Sequence, residues 1–168
     1  MAVVHEEIVE RWLNQRGFFT MRGIKCGIDG IDLLAIKLGN AKITAWHVEV
    51  QVSFRPVGYI GGDTSTKKPD LAQLSDGVAQ WVNKKFLSEK KINKRNSILT
   101  DMNWEYVLVC AELKDEHELA LVESLGVKVL HFRKILADLS SPRSQHGLSL
   151  SSDIIDLLRY HRGEIDGL

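Results

Sequence analysis

The chain has 168 residues, long enough for one domain with a real hydrophobic core. Its 44% hydrophobic and 26% charged residues make the mix of an ordinary globular domain, with no run near the roughly 20 apolar residues that cross a bilayer. Its 22 basic and 22 acidic residues cancel, which excludes a protein that coats nucleic acid through bulk charge. The cancellation is not local. The run from Lys84 to Arg95 holds six bases against one acid, whereas the stretch from Asp101 to Glu123 is acidic, so a neutral total can hide one basic face.

The opening residues carry Glu6 and Glu7 where a signal peptide would be basic and then apolar, so a cytoplasmic location with no membrane partner is expected. Cys26 and Cys110 form no CxxC pair and read as reduced, partly buried thiols. The six histidines are scattered, which speaks against a structural zinc site.

Residues 5–16 place Ile8, Val9, Trp12 and Leu13 at helical spacing, and Gly17 stands where a helix C-terminus expects it. Residues 18–21 read as a short strand, Gly27 to Gly30 as a turn, and residues 31–37 as a second strand. Residues 38–42 carry hairpin-turn chemistry, and residues 43–54 form a long third strand. Pro56, Gly58, Gly61, Gly62 and Pro69 mark a loop. Asp70 can cap a helix running to about Lys91, with Leu71, Leu74, Val78, Trp81, Val82 and Phe86 on one face. A strand over 104–111, a helix over 115–125, a strand over 127–132 and a short helix over 134–139 follow. The order α-β-β-β-α-β-α-β predicts an α/β domain over 1–139, with a mixed sheet flanked by helices. Residues 140–168 read as a Ser-rich linker and a short C-terminal helix over 153–161.

Strict alternation in the third strand puts His47, Glu49, Gln51 and Ser53 on one face and Val48, Val50 and Val52 on the other. A turn centred between Asn40 and Ala41 sets Asp32 directly across from Glu49. A two-residue slip keeps the pair diagonal, and a one-residue slip separates it. Two carboxylates opposed in this way repel unless a cation lies between them. With the Val50 carbonyl as a third oxygen they would make a hard site suited to Mg2+. Periodicity by itself favours the plainer reading, a solvated polar strand face.

Asp32 followed by Glu49-Val50-Gln51 on the next strand resembles the PD-(D/E)XK motif of the restriction-endonuclease-like nucleases. The run Gly27-Ile28-Asp29-Gly30-Ile31-Asp32 is similar to that of the Mrr-type endonucleases and archaeal-type Holliday-junction resolvases, as is Gly17-Phe18 after a glutamate-bearing helix. The likeness covers residues 5–55 in motif and 70–139 in element order alone. It implies a Mg2+- or Mn2+-dependent endonuclease that hydrolyses DNA phosphodiester bonds, with Asp32 and Glu49 as metal ligands. Glu6 is the expected helix acid and Glu10, one turn on, its substitute. Asp29 reads as a turn residue that could stand in for Asp32.

Gln51 stands where such motifs carry lysine; it can orient a water but is neither charged nor a base. The missing charge could come from Lys84 or Lys85, and Gln73 and Gln80 on the same helix could face the site, although solvated or core-edge positions fit them as well. Arg55, Lys67, Lys68, Lys84, Lys85, Lys90, Lys91, Lys94 and Arg95 are candidates for phosphate contacts, which add affinity without reading sequence. The alternative to a nuclease is a silent domain of the same fold that binds a partner or nucleic acid. RNA as substrate and a homodimer for two-strand cutting stay open.

Overall fold

The computed structural model describes residues 2–27, 29–40, 42–52, 70–111 and 116–140. Arg55 after the third strand, the expected 56–69 loop with Lys67 and Lys68, and the linker and helix expected beyond Ser140 lie outside the described residues.

Helix α1 (Ala2–Gln15) buries the predicted stripe of Ile8, Val9, Trp12 and Leu13. It stops at Gly17, whose φ of 79° only glycine adopts freely. The Gly17 amide donates to the Asn14 carbonyl at 3.0 Å and the Phe18 amide to that of Leu13 at 3.1 Å, the paired bonds of a Schellman cap. That cap turns the chain into β1 (Phe19–Cys26), which is longer than its apolar run suggests because pairing with β2 (Asp29–Leu38) carries it past Gly23. A tight turn then leads into β3 (Ile43–Gln51), antiparallel to β2.

The expected single helix after residue 70 is divided. Asp70 caps α2 (Leu71–Val82) in a reciprocal box with Gln73. One π-type turn, Asn83–Leu87, follows, and Ser88 leaves helical geometry at ψ 139°. Helix α3 (Glu89–Ile98) then runs seven residues beyond the expected end at Lys91. The apolar spacing through Phe86 hides the break, because Phe86 stays buried in the core across it. Strand β4 (Trp104–Cys110), α4 (Glu116–Ser124), β5 (Val127–His131) and α5 (Phe132–Leu139) complete the described chain.

The five strands lie in sequence order, the first three antiparallel and the last three parallel. One face of the sheet, including Leu33, Val48, Val107 and Val109, packs against α1 and α5. The other face, with Leu108, Cys110 and Val127, packs against α2, the π turn and α4. A third cluster, of Leu34, Ala45 and Trp104, lies under the C-terminal end of α3. Both cysteines are buried and free, and burial pushes the Cys110 thiol up to about 11. Among the described residues no helix is long and apolar enough to cross a membrane.

Candidate active site

The site begins with register. Leu33 pairs with Val48 and Leu34 with His47, so the same register sets Asp32 opposite Glu49, as a turn centred on Asn40 and Ala41 requires. Neither slip occurs. The paired register runs no further than Leu33 and Val48, although both strands continue. There the Val50 amide donates to Asp32 Oδ2 at 2.7 Å, so a carboxylate replaces a strand carbonyl as acceptor. The contact is made by the Val50 amide and not by its carbonyl, the atom expected to serve a cation.

The alternation of β3 turns Val48 and Val50 toward α1 and α5, and drives His47 and Glu49 beneath the helices of the opposite face. Glu49 is 1% exposed. A lone carboxylate would be neutralised there, but this one is fully partnered. Its Oε1 accepts from Lys91 Nζ at 2.6 Å and from His47 Nε2 at 3.0 Å, and its Oε2 accepts from Lys85 Nζ at 3.0 Å. Burial raises its pKa, but the His47 hydrogen bond and the two lysine charges outweigh burial and hold the carboxyl below its ordinary range.

The broken helix explains how two lysines reach one carboxylate. Residues 85 and 91 would lie about 120° apart around a continuous α-helix. The wider π turn and the kink at Ser88 bring both ammonium groups to Glu49. Their settings differ, since the Lys91 side chain is 3% exposed and that of Lys85 34%. Of the two candidates for the missing charge, Lys85 is therefore the one at the acids, while Lys84 is exposed with no ion pair among the described residues. Burial lowers the Lys85 pKa, but Glu49, Asp32 and Asp29 attract its charge and the net shift is upward.

Asp32 differs from Glu49 in kind. It is half-buried, and among the described residues its single hydrogen bond is the one from Val50. Burial and the Glu49 charge push its pKa up, against the Val50 amide and the two lysines. Glu6 on α1 is also held above its ordinary range, by burial and then by Asp32, with Glu49 contributing and Arg22 opposing. Glu6, rather than Glu10, belongs to this electrostatic group. Glu10 accepts from Thr20 at 3.1 Å and pairs with Arg22 at 3.2 Å, on a cavity of about 390 Å3 lined by neither Asp32 nor Glu49.

Gln51 ends β3 with its side chain exposed. Gln73 is occupied in the α2 cap, and Gln80 is exposed. Among the bases expected on the surface, Lys84 and Lys90 are exposed and Lys94 half-exposed, but Lys91 and Arg95 are buried.

His47, expected only to share a strand face with Glu49, and Lys91 and Arg95, expected at phosphates, are instead buried together around Glu49. Arg95 NH1 lies 2.7 Å from His47 Nδ1 and donates to the Phe86 carbonyl at 2.8 Å. The Phe86 ring packs edge-on against His47, with centroids 5.0 Å apart. Burial, against the Glu49 hydrogen bond, lowers the His47 pKa to about 4, so its imidazole is neutral near pH 7. The i, i+4 spacing of Lys91 and Arg95 on α3 is the signal that one helix face carries both.

A divalent cation finds a partial fit. Asp32, Glu49 and Glu6 are hard oxygen donors whose mutual repulsion a cation would relieve, and Mg2+ accepts a sparse protein set because it keeps its waters. Among the described residues no three His, Cys, Asp or Glu side chains converge as a ready-made metal cage. Lys85 occupies the Oε2 edge that such an ion would use. An ion held by Asp32 and that edge of Glu49 would therefore have to displace Lys85.

The described architecture is that of an α/β protein with a five-stranded mixed sheet. Among solved structures the chain is similar to AF1548, a protein of unknown function, with a TM-score of 0.52 and 16% identity over 96% of this chain and 79% of that one. At such identity the likeness concerns the fold alone. No family model and no curated protein matches the chain.

Proposed function

We propose that the chain is a restriction-endonuclease-like, Mg2+-dependent nuclease that hydrolyses DNA phosphodiester bonds. The observation that carries this reading is one arrangement: Asp32 opposite Glu49 on adjacent strands, with the Lys85 ammonium 3.0 Å from Glu49 Oε2. The PD-(D/E)XK-like pattern lacks its lysine at Gln51, and a lysine from the π turn stands at the acids instead. Asp32 and the Oε2 edge of Glu49 would hold Mg2+ or Mn2+, which when bound acidifies a water and offsets charge on the phosphorane.

The remaining work falls to the chain. Lys85, freed from Glu49, directs its ammonium to a phosphate oxygen. Gln51, exposed at the end of the strand, orients the attacking water through its amide. Glu6, with its raised pKa, is the group on α1 able to take up a proton beside the pair. Exposed Lys84 and Lys90 contact the DNA backbone and make binding salt-dependent.

The test is cleavage of plasmid and branched DNA by the purified chain with Mg2+ or Mn2+. Nicked or linear product is expected, with loss on Asp32→Ala and on Glu49→Ala; activity that survives both substitutions overturns the reading. A second reading, a silent interaction module, is favoured by the burial of Glu49 and the full occupation of its carboxylate from within the chain. Calorimetric titration with Mn2+ separates the two, because the silent module gives no binding that depends on Asp32.

A further inference from the structure

We infer that His47, Lys91 and Arg95 are positioning residues that hold Glu49 by its Oε1 oxygen and leave Oε2 as its working edge. The inference rests on the nuclease reading. Its basis is an asymmetry between the two oxygens of one side chain. Among the described residues, Oε1 takes both buried donors, Lys91 at 2.6 Å and His47 at 3.0 Å, whereas Oε2 takes only the half-exposed Lys85. A carboxylate gripped on one oxygen cannot rotate, so the direction of the other is set before any ion arrives.

Arg95 gives the grip its polarity. A guanidinium only donates, so its contact of 2.7 Å with His47 Nδ1 makes that nitrogen the acceptor. The imidazole proton must then sit on Nε2, the atom facing Glu49 Oε1. The same NH1 group donates to the Phe86 carbonyl, inside the turn that carries Lys85. One guanidinium thus fixes, through His47, the fixed side of Glu49, and directly the segment that holds the displaceable lysine.

A merely structural ion-pair cluster would affect folding but not ion affinity, and that difference is the test. Wild type, His47→Gln, His47→Leu, Lys91→Met and Asp32→Ala are titrated with Mn2+ by calorimetry, with circular dichroism and melting to identify the folded variants. Glutamine keeps an acceptor for Arg95 and an N–H donor for Glu49, whereas leucine keeps neither. His47→Leu and Lys91→Met are expected to raise the Mn2+ Kd by about 10- to 100-fold, with His47→Gln near wild type. Wild-type affinity in folded His47→Leu and Lys91→Met overturns the inference and leaves the nuclease reading standing. Absence of binding that depends on Asp32 in wild type overturns both.

If the leucine and methionine variants do not fold, the imidazole 15N shifts of the wild-type protein decide. An Nε2-protonated His47, unchanged by added Mg2+, is expected; an Nδ1-protonated ring overturns the inference.

Discussion

The two acids at the centre of this molecule sit on neighbouring strands, yet they inhabit different electrostatic regions. On the β3 side, Glu49 is enclosed by α3 and the π turn, with two ammonium groups and an imidazole already in place. On the β2 side, Asp32 and Glu6 are half-buried acids with raised pKa values and one backbone amide as compensation at Asp32. The first region carries its own counter-charge. In the second, Lys85 and Lys91 at Asp32 and Arg22 at Glu6 only partly offset burial and the neighbouring acids, so both carboxyls stay raised. The lesson is that burial raises all three carboxyls, and only where partners outweigh it, as at Glu49, does the shift reverse.

The hardest test of this contrast is activity. Glu49→Ala and Asp32→Ala should each cut DNA cleavage by about a thousandfold, near 4 kcal/mol of barrier, measured on supercoiled plasmid at saturating Mg2+. Denaturation in urea should then separate the two lysines. Lys91→Met strands a buried charge on Glu49 and should cost about 3–5 kcal/mol. Lys85→Met removes a pair whose lysine side chain is 34% exposed and should cost about 1 kcal/mol or less. Equal losses would erase the distinction between a fixed and a displaceable partner.

Acid should act chiefly on the closed region. His47 has its folded pKa lowered to about 4 from 6.5, so the unfolded chain takes up a proton that the folded one refuses. Stability should fall as pH drops from about 6.5 toward 4, and His47→Gln should flatten that slope in pH-dependent melting. The Glu49 shift acts in the same direction at lower pH, because a depressed carboxyl contributes stability above its ordinary range and loses it on protonation.

The smallest effect belongs to the open region. The raised pKa values of Asp32 and Glu6 make their ionisation unfavourable to folding as pH rises through the carboxylate range. Asp32→Asn keeps an acceptor for the Val50 amide and removes the charge, so without metal at pH 7 it should melt at or slightly above the wild-type temperature. A clear fall in Tm would show that the charge itself supports the fold.

Much of the architecture was legible in the chain. The Asn40–Ala41 turn centre and the period-two pattern of residues 46–53 yield the hairpin register, and with it the Asp32–Glu49 opposition. Gly17 marks the end of α1 because the backbone there needs a positive φ. The break at Ser88 was not legible, since the apolar spacing of Val78, Val82 and Phe86 runs up to it and no proline or glycine marks it. Lys91 and Arg95 read as surface bases because charge pattern alone does not reveal a buried counter-ion. The counter-ion of Lys91, Glu49, and the neutral imidazole facing Arg95, His47, lie on β3, more than forty positions earlier. Glu6 and Glu10 share a helix face, and only the contacts of Glu10 with Thr20 and Arg22 separate them.

The hairpin is closed like a zip from its turn, and the teeth stop at Leu33 and Val48. Beyond them the Val50 amide is shielded by a side chain instead of a facing strand. Solvent exchange at that proton therefore reports directly on Asp32. A cation that draws the carboxylate away would unmask the amide, and the fold would register the event without any strand having to separate.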